Sequence, residues 1–239
     1  MRNVRRRKKC SSLCKSSFVG NCRTAVHYWM VPLLARIRVG ILGSGSGTNA
    51  HALCVKAEHD TCAYSVEAII STSAKAGICN VARRSGVELV ILPEGLSREA
   101  LVEEIIRAID EFQVEVLALA GFMRLLPDKV IHRLEGRVLN IHPALLPDFG
   151  GKGMFGLHVH RSVLAAGVLE TGATVHIVTD QYDEGAILGQ KRLPVFPSVD
   201  PEDLQRRIKV AENELYPGVM EQFARSIHSK LPLSTQASF

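Results

Sequence analysis

The chain has 239 residues, 46% of them hydrophobic and 22% charged, enough to bury a full core in one domain and unlike a disordered or fibrous composition. No stretch approaches the roughly 18 uninterrupted apolar residues of a spanning helix, so no membrane partner is expected. The net charge of +5 misleads: residues 1–38 carry ten Lys or Arg and no acid, whereas residues 39–239 carry 19 basic and 24 acidic side chains, a balance of −5, and a nucleic-acid partner is not expected of so mildly acidic a body.

The leader, Met1 to Ala35, contains Arg5-Arg-Arg-Lys-Lys9 and lacks a secretory apolar core, since Gly20-Asn21 interrupts Phe18-Val19. It reads as an organellar transit peptide, a disordered basic arm, or an upstream extension with Met30 as the working start. The last is favoured because Met30 lies only eight residues before the first strand. The expected layout is a leader over 1–35, a catalytic domain over 36–230 and a tail over 231–239. The expected location is the cytoplasm, or a plastid or other organelle if the leader is a transit peptide.

The body alternates in type. Strand-like runs at 38–42, 66–71, 88–92, 115–120 and 137–141 are separated by helix-like stretches at 49–58, 75–85, 97–112 and 127–134. Such alternation implies right-handed βαβ crossovers and an α/β fold, a single doubly wound, mostly parallel sheet with helices on both faces. A helix at 158–167, strands at 172–179 and 186–195 and a closing helix from Asp200 to Ile227, capped by Asp200 or Ser198, complete it. Functional groups then belong at the carboxyl ends of the strands.

Three segments carry chemistry. After the first strand, Gly43-Ser-Gly-Ser-Gly-Thr-Asn49 leads into a helix, so backbone N–H groups and the helix start can hold an anion, most plausibly a phosphate. Gly45 and Gly47 allow close approach, and Thr48 or Asn49 can cap the helix. No Lys follows the last glycine, so this is not a Walker loop, and a third Gly of a dinucleotide fingerprint is missing. Asn140 and His142 share one side of the strand that Pro143 stops, offering an oxyanion donor beside a group that titrates near neutrality. The strand Gly172 to Thr179 delivers Asp180, a carboxylate able to orient His142.

Six cysteines, at 10, 14, 22, 54, 62 and 79, show no zinc-ligand spacing and read as reduced thiols. His158 and His160 lack a third ligand at suitable spacing. No metal is expected.

These segments, with Ser97-Arg-Glu-Ala100, Leu119-Ala-Gly-Phe-Met-Arg-Leu-Leu126 and Ala211-Glu-Asn-Glu-Leu-Tyr-Pro217 in the same order, resemble the glycinamide ribonucleotide formyltransferase family, folate-dependent enzymes of purine biosynthesis. The resemblance runs from about Arg38 to Ile227. It implies a cytoplasmic transferase that moves a formyl group from 10-formyltetrahydrofolate to the amino group of glycinamide ribonucleotide, with these small molecules as partners and a monomeric or weakly dimeric state. It further implies that Asn140, His142 and Asp180 are catalytic, that Gly47, Thr48 and Asn49 hold the ribonucleotide phosphate, and that Glu212 contacts the glycinamide amine. The same resemblance implies that Arg98 and Arg124 approach the substrates, Arg98 on the nucleotide side, and that Met123, Arg124, Leu126 and Val178 line the folate pocket. The chain departs from the family's commonest pattern in the glycine-rich stretch 148–157, expected to reshape the substrate mouth or act as a lid, and in lacking a proline after Asp183-Glu-Gly185.

Two related readings fit less well. A formyltetrahydrofolate deformylase normally has an N-terminal regulatory domain, which a basic leader of 35 residues is too short to form. A methionyl-tRNA formyltransferase needs a C-terminal nucleic-acid-binding domain, and only about a dozen residues follow the last helix. A non-catalytic nucleotide-binding Rossmann module would explain the glycine loop without requiring Asn140, His142 and Asp180 to converge.

Overall fold

The computed structural model describes residues 35–229; the expectations for the leader and the tail fall outside them. Seven strands form one sheet: β1 (Ile37–Gly43), β2 (Tyr64–Ser71), β3 (Glu88–Ile91), β4 (Val116–Leu119), β5 (Val138–His142), β6 (Glu170–Ile177) and β7 (Ile187–Pro194). Their order is β3-β2-β1-β4-β5-β6-β7. The first five are parallel and the last two antiparallel, so the expected doubly wound, mostly parallel sheet is present with an antiparallel extension on one edge. The strand order reverses between β1 and β4, which opens a crevice at their carboxyl ends.

Helices cover both faces. On one side α1 (Thr48–Ala57), α2 (Ile78–Ser85) and the long α6 (Pro201–Ser229) bury Leu53, Ile78 and Met220 against Val39, Ile41 and Val116. On the other, α3 (Arg98–Glu111) and α4 (Asp128–Arg133) bury Ile105 and Val130 against Leu42, Leu117 and Leu119. Alternate residues of each strand therefore feed opposite cores, as the period of two requires, and each fully buried Leu or Ile contributes roughly 1.5–3 kcal/mol. A smaller cluster joins α5 (Leu157–Ala165) to α6 through Val159, Val163, Leu204 and Ile208.

Local chemistry sets the helix ends. Ser97 accepts from the Ala100 N–H at 3.2 Å and caps α3. Asp200 accepts from the Asp203 N–H at 2.6 Å and starts α6, as expected. The start of α1 differs: Gly47 takes the N-cap position at φ 86°, and neither Thr48 nor Asn49 caps. A left-handed backbone of this kind is adopted at little cost only by glycine. Inside α6, the buried Tyr216 hydroxyl reaches the Leu139 carbonyl at 2.9 Å and that of Leu119 at 3.2 Å, seating the helix beneath the strand that bears Asn140. Cys54, Cys62 and Cys79 are free and buried. Among the described residues no helix is long and apolar enough to cross a membrane.

Candidate active site

A cavity of about 540 Å³ lies at the carboxyl ends of β1, β4 and β5, within the range of small-molecule sites. It gathers most of the expected residues: Gly47, Thr48 and Asn49 from the first turn, Met123, Arg124 and Leu126 after β4, Asn140 and His142 on β5, Val178 after β6 and Glu212 on α6. Arg98 is not among its lining residues; it is exposed at the start of α3. Asp180 is likewise exposed and outside the lining.

The carboxylate beside His142 belongs to Asp183. Its Oδ2 lies 3.6 Å from His142 Nδ1 and its Oδ1 3.5 Å from His176 Nε2. Strand direction explains the displacement from Asp180. Because β6 runs antiparallel to β5, Ile177 pairs with Leu139 and Thr174 with His142, so the end of β6 points away from the carboxyl end of β5. β6 stops at Ile177, and the following loop turns back to present Asp183 from a left-handed backbone at φ 58°.

The same register places His176 opposite Asn140. Two ring tautomers follow from the partners, because a carbonyl can only accept. His176 Nδ1 donates to the Ile177 carbonyl at 2.9 Å, which leaves Nε2 of the neutral ring to accept from the Asn140 amide at 3.1 Å. The Asn140 amide is thereby oriented, with a second N–H to offer. His142 Nε2 donates to the Phe149 carbonyl at 2.9 Å, so a proton arriving on His142 enters at Nδ1, facing Asp183.

Electrostatics suit that transfer. Burial holds His142 below the ordinary imidazole range, partly opposed by the Asp183 carboxylate and the Phe149 carbonyl. Burial disfavours the charged form of Asp183, but the histidines and the Gly151 N–H, donating at 2.9 Å, outweigh it and hold the group below the usual carboxylate range. Asp183 is thus charged and waiting, and His142 is a neutral base.

The glycine-loop end behaves differently. Asn49 donates to Glu212 Oε2 at 3.0 Å, yet burial dominates and pushes the Glu212 carboxyl up to about 7. Lys209, one turn earlier on α6, lines the same space. His160 on α5 is 2% exposed, its Nδ1 has no partner, and burial with the nearby Lys209 charge lowers it to about 4. The stretch 148–157 contributes Gly151, Lys152, Met154 and Phe155 to the lining.

Sequence reasoning thus missed Asp183, His176, His160 and Lys209. A signal existed for His176, since an antiparallel partner for the Asn140 strand would set it beside that amide. Asp183 had no such signal, because a loop and not a strand presents it.

Residues 37–220 match the formyl transferase family. The phosphoribosylglycinamide formyltransferase of Escherichia coli is 36% identical over 190 residues, 79% of this chain and 87% of that protein. The chloroplastic protein of the same name from Vigna unguiculata is 33% identical over 78% of this chain, which spans 60% of that relative's length. Among solved structures, glycinamide ribonucleotide transformylase 1 from Symbiobacterium toebii aligns with a TM-score of 0.75 at 37% identity, covering 80% of this chain and 89% of that one. With the sheet order, the cavity and the matched span in agreement, the chain belongs to the formyl transferase family.

Proposed function

We propose that this protein transfers a formyl group from 10-formyltetrahydrofolate to the amino group of glycinamide ribonucleotide, a step of purine biosynthesis. The observation that carries the reading is the convergence of Asn140, His142 and Asp183 on one cavity with the glycine loop and Glu212. The nucleotide phosphate sits on the backbone of Gly47, Thr48 and Asn49, beside Lys209, and Glu212 faces the glycinamide amine. The pterin occupies the apolar side formed by Met123, Leu126 and Val178, with Arg124 at its edge.

In the reaction the amine nitrogen bonds to the formyl carbon, and the carbonyl oxygen becomes an oxyanion that accepts a hydrogen bond from Asn140. The attacking nitrogen loses a proton, which His142 relays, Asp183 stabilising the imidazolium while it exists. The carbon–N10 bond then breaks, N10 takes up a proton, and formylated nucleotide and tetrahydrofolate leave. We assign catalysis to Asp183 and not to Asp180, whose carboxylate is exposed away from His142. The proposed location is the cytoplasm, or a plastid in keeping with the chloroplastic relatives, and the proposed state is a monomer or weak homodimer.

The test is consumption of 10-formyltetrahydrofolate with and without glycinamide ribonucleotide. Consumption only with the nucleotide is expected. Consumption without it would make the protein a deformylase, and none at all would reduce it to a nucleotide-binding module.

A further inference from the structure

Between His142 and Phe149, whose carbonyl fixes its tautomer, lie six residues of chain, and their first part is held by a polar cluster outside the cavity lining. Thr174, on β6 directly opposite His142, is fully buried. Its hydroxyl donates to the Ala144 carbonyl at 2.7 Å and accepts from the Leu146 N–H at 3.0 Å. Gln190, opposite Thr174 on β7, donates through its amide nitrogen to the Leu146 carbonyl at 2.9 Å and to the Thr174 hydroxyl at 3.0 Å.

We propose that Thr174 and Gln190 are positioning residues for His142: a strut across β6 and β7 fixes residues 144 and 146, and so keeps the Phe149 carbonyl on the imidazole. Beyond Pro147 the loop contains Gly150, Gly151 and Gly153, whose conformational freedom would otherwise let Phe149 wander. The donors and acceptors match one for one. The Thr174 hydroxyl both donates to residue 144 and accepts from residue 146, and an apolar replacement leaves the buried Ala144 carbonyl and Leu146 N–H without their partner. Both side chains therefore act on the reaction only through His142.

This inference rests on the catalytic reading of His142, so the experiment carries His142→Ala as its control. Steady-state kinetics with both substrates, over a range of pH, are compared for Thr174→Val, Thr174→Ser and Gln190→Met, with thermal melts to establish that each is folded. Thr174→Val is expected to lower kcat by about 10- to 100-fold with each KM within about twofold, because misplacing a reacting group by about 1 Å costs on that order. Thr174→Ser, which keeps the hydroxyl, should recover most of kcat. Gln190→Met, at a half-buried site, should give a smaller loss of the same kind and remains informative if Thr174→Val does not fold. Since the Phe149 carbonyl favours the imidazolium, slackening it should move the His142 limb of the kcat/KM profile to lower pH. Folded variants with a lower melting temperature but normal kcat and an unmoved pH profile would make the strut purely structural and overturn the proposal. Full activity of His142→Ala would instead overturn the catalytic reading itself.

Discussion

Asp183 and Glu212 line one cavity, yet their surroundings drive the two carboxyls apart. Asp183 accepts from the Gly151 N–H and lies between two imidazoles, so it stays ionised despite burial. Glu212 has a single amide donor, Asn49, and burial wins, moving it to about 7. The His142 end thus stores a fixed negative charge, and the glycine-loop end keeps a carboxyl that exchanges a proton near neutrality. Asp183 is only half-buried and has two imidazoles beside it, whereas Glu212 is buried with a single amide for company, and both differences separate the two.

The largest expected effect breaks the catalytic end. Asp183→Asn keeps the shape but removes the charge that meets protonated His142, and kcat should fall on the order of 1000-fold. Asp180→Asn should leave kcat within about twofold. Equal losses in the two variants, measured side by side, would contradict the assignment.

At the other end, Glu212 titrates at about 7 in the folded chain against an ordinary 4.5 when unfolded. The folded state therefore holds the extra proton between those values, and stability from this group falls as pH rises from about 4.5 to about 7, then levels off. Glu212→Gln, which still accepts from Asn49, should be more stable than the parent chain above pH 7 by up to about 3 kcal/mol and equal to it below about 4.5. Urea unfolding at pH 4.5 and 8 measures the difference. Nucleotide binding should weaken in the same variant.

The glycine loop itself can be sharpened next. A Cβ on Gly47 would lie 2.7 Å from the Ile78 Cα, at φ 86°, so Gly47→Val should cost about 2–3 kcal/mol of stability in addition to raising the nucleotide KM. On Gly45 the nearest atom is 4.0 Å away, and Gly45→Ala should alter nucleotide KM without changing the denaturation midpoint. A stable Gly47→Val would show that α2 yields there. The smallest effect falls outside the cavity: Ser97→Ala removes the α3 cap and should cost about 1 kcal/mol with unchanged kinetics.

Alternation of apolar runs and helix-like stretches determined the parallel half of the fold, because strands buried on both faces and amphipathic helices leave distinct local patterns. The segments expected at 38–42 and 97–112 appear as Ile37–Gly43 and Arg98–Glu111. Asn140 and His142 were legible for the same local reason: two positions along one strand share a face. What lies across strands was not. The direction of β6, a property of the assembled sheet, put His176 beside Asn140, sent Asp180 to the surface and left Asp183 to a returning loop. The caps at Gly47 and the orphaned Nδ1 of His160 are likewise decided by what packs against them. Sequence by itself determined which segments became strands and helices and which strand end bore the amide and the imidazole, since those depend on neighbours along the chain. Only the tertiary structure decided which carboxylate meets His142 and which carboxyl keeps its proton, since hydrogen-bond partners and desolvation come from residues distant in sequence.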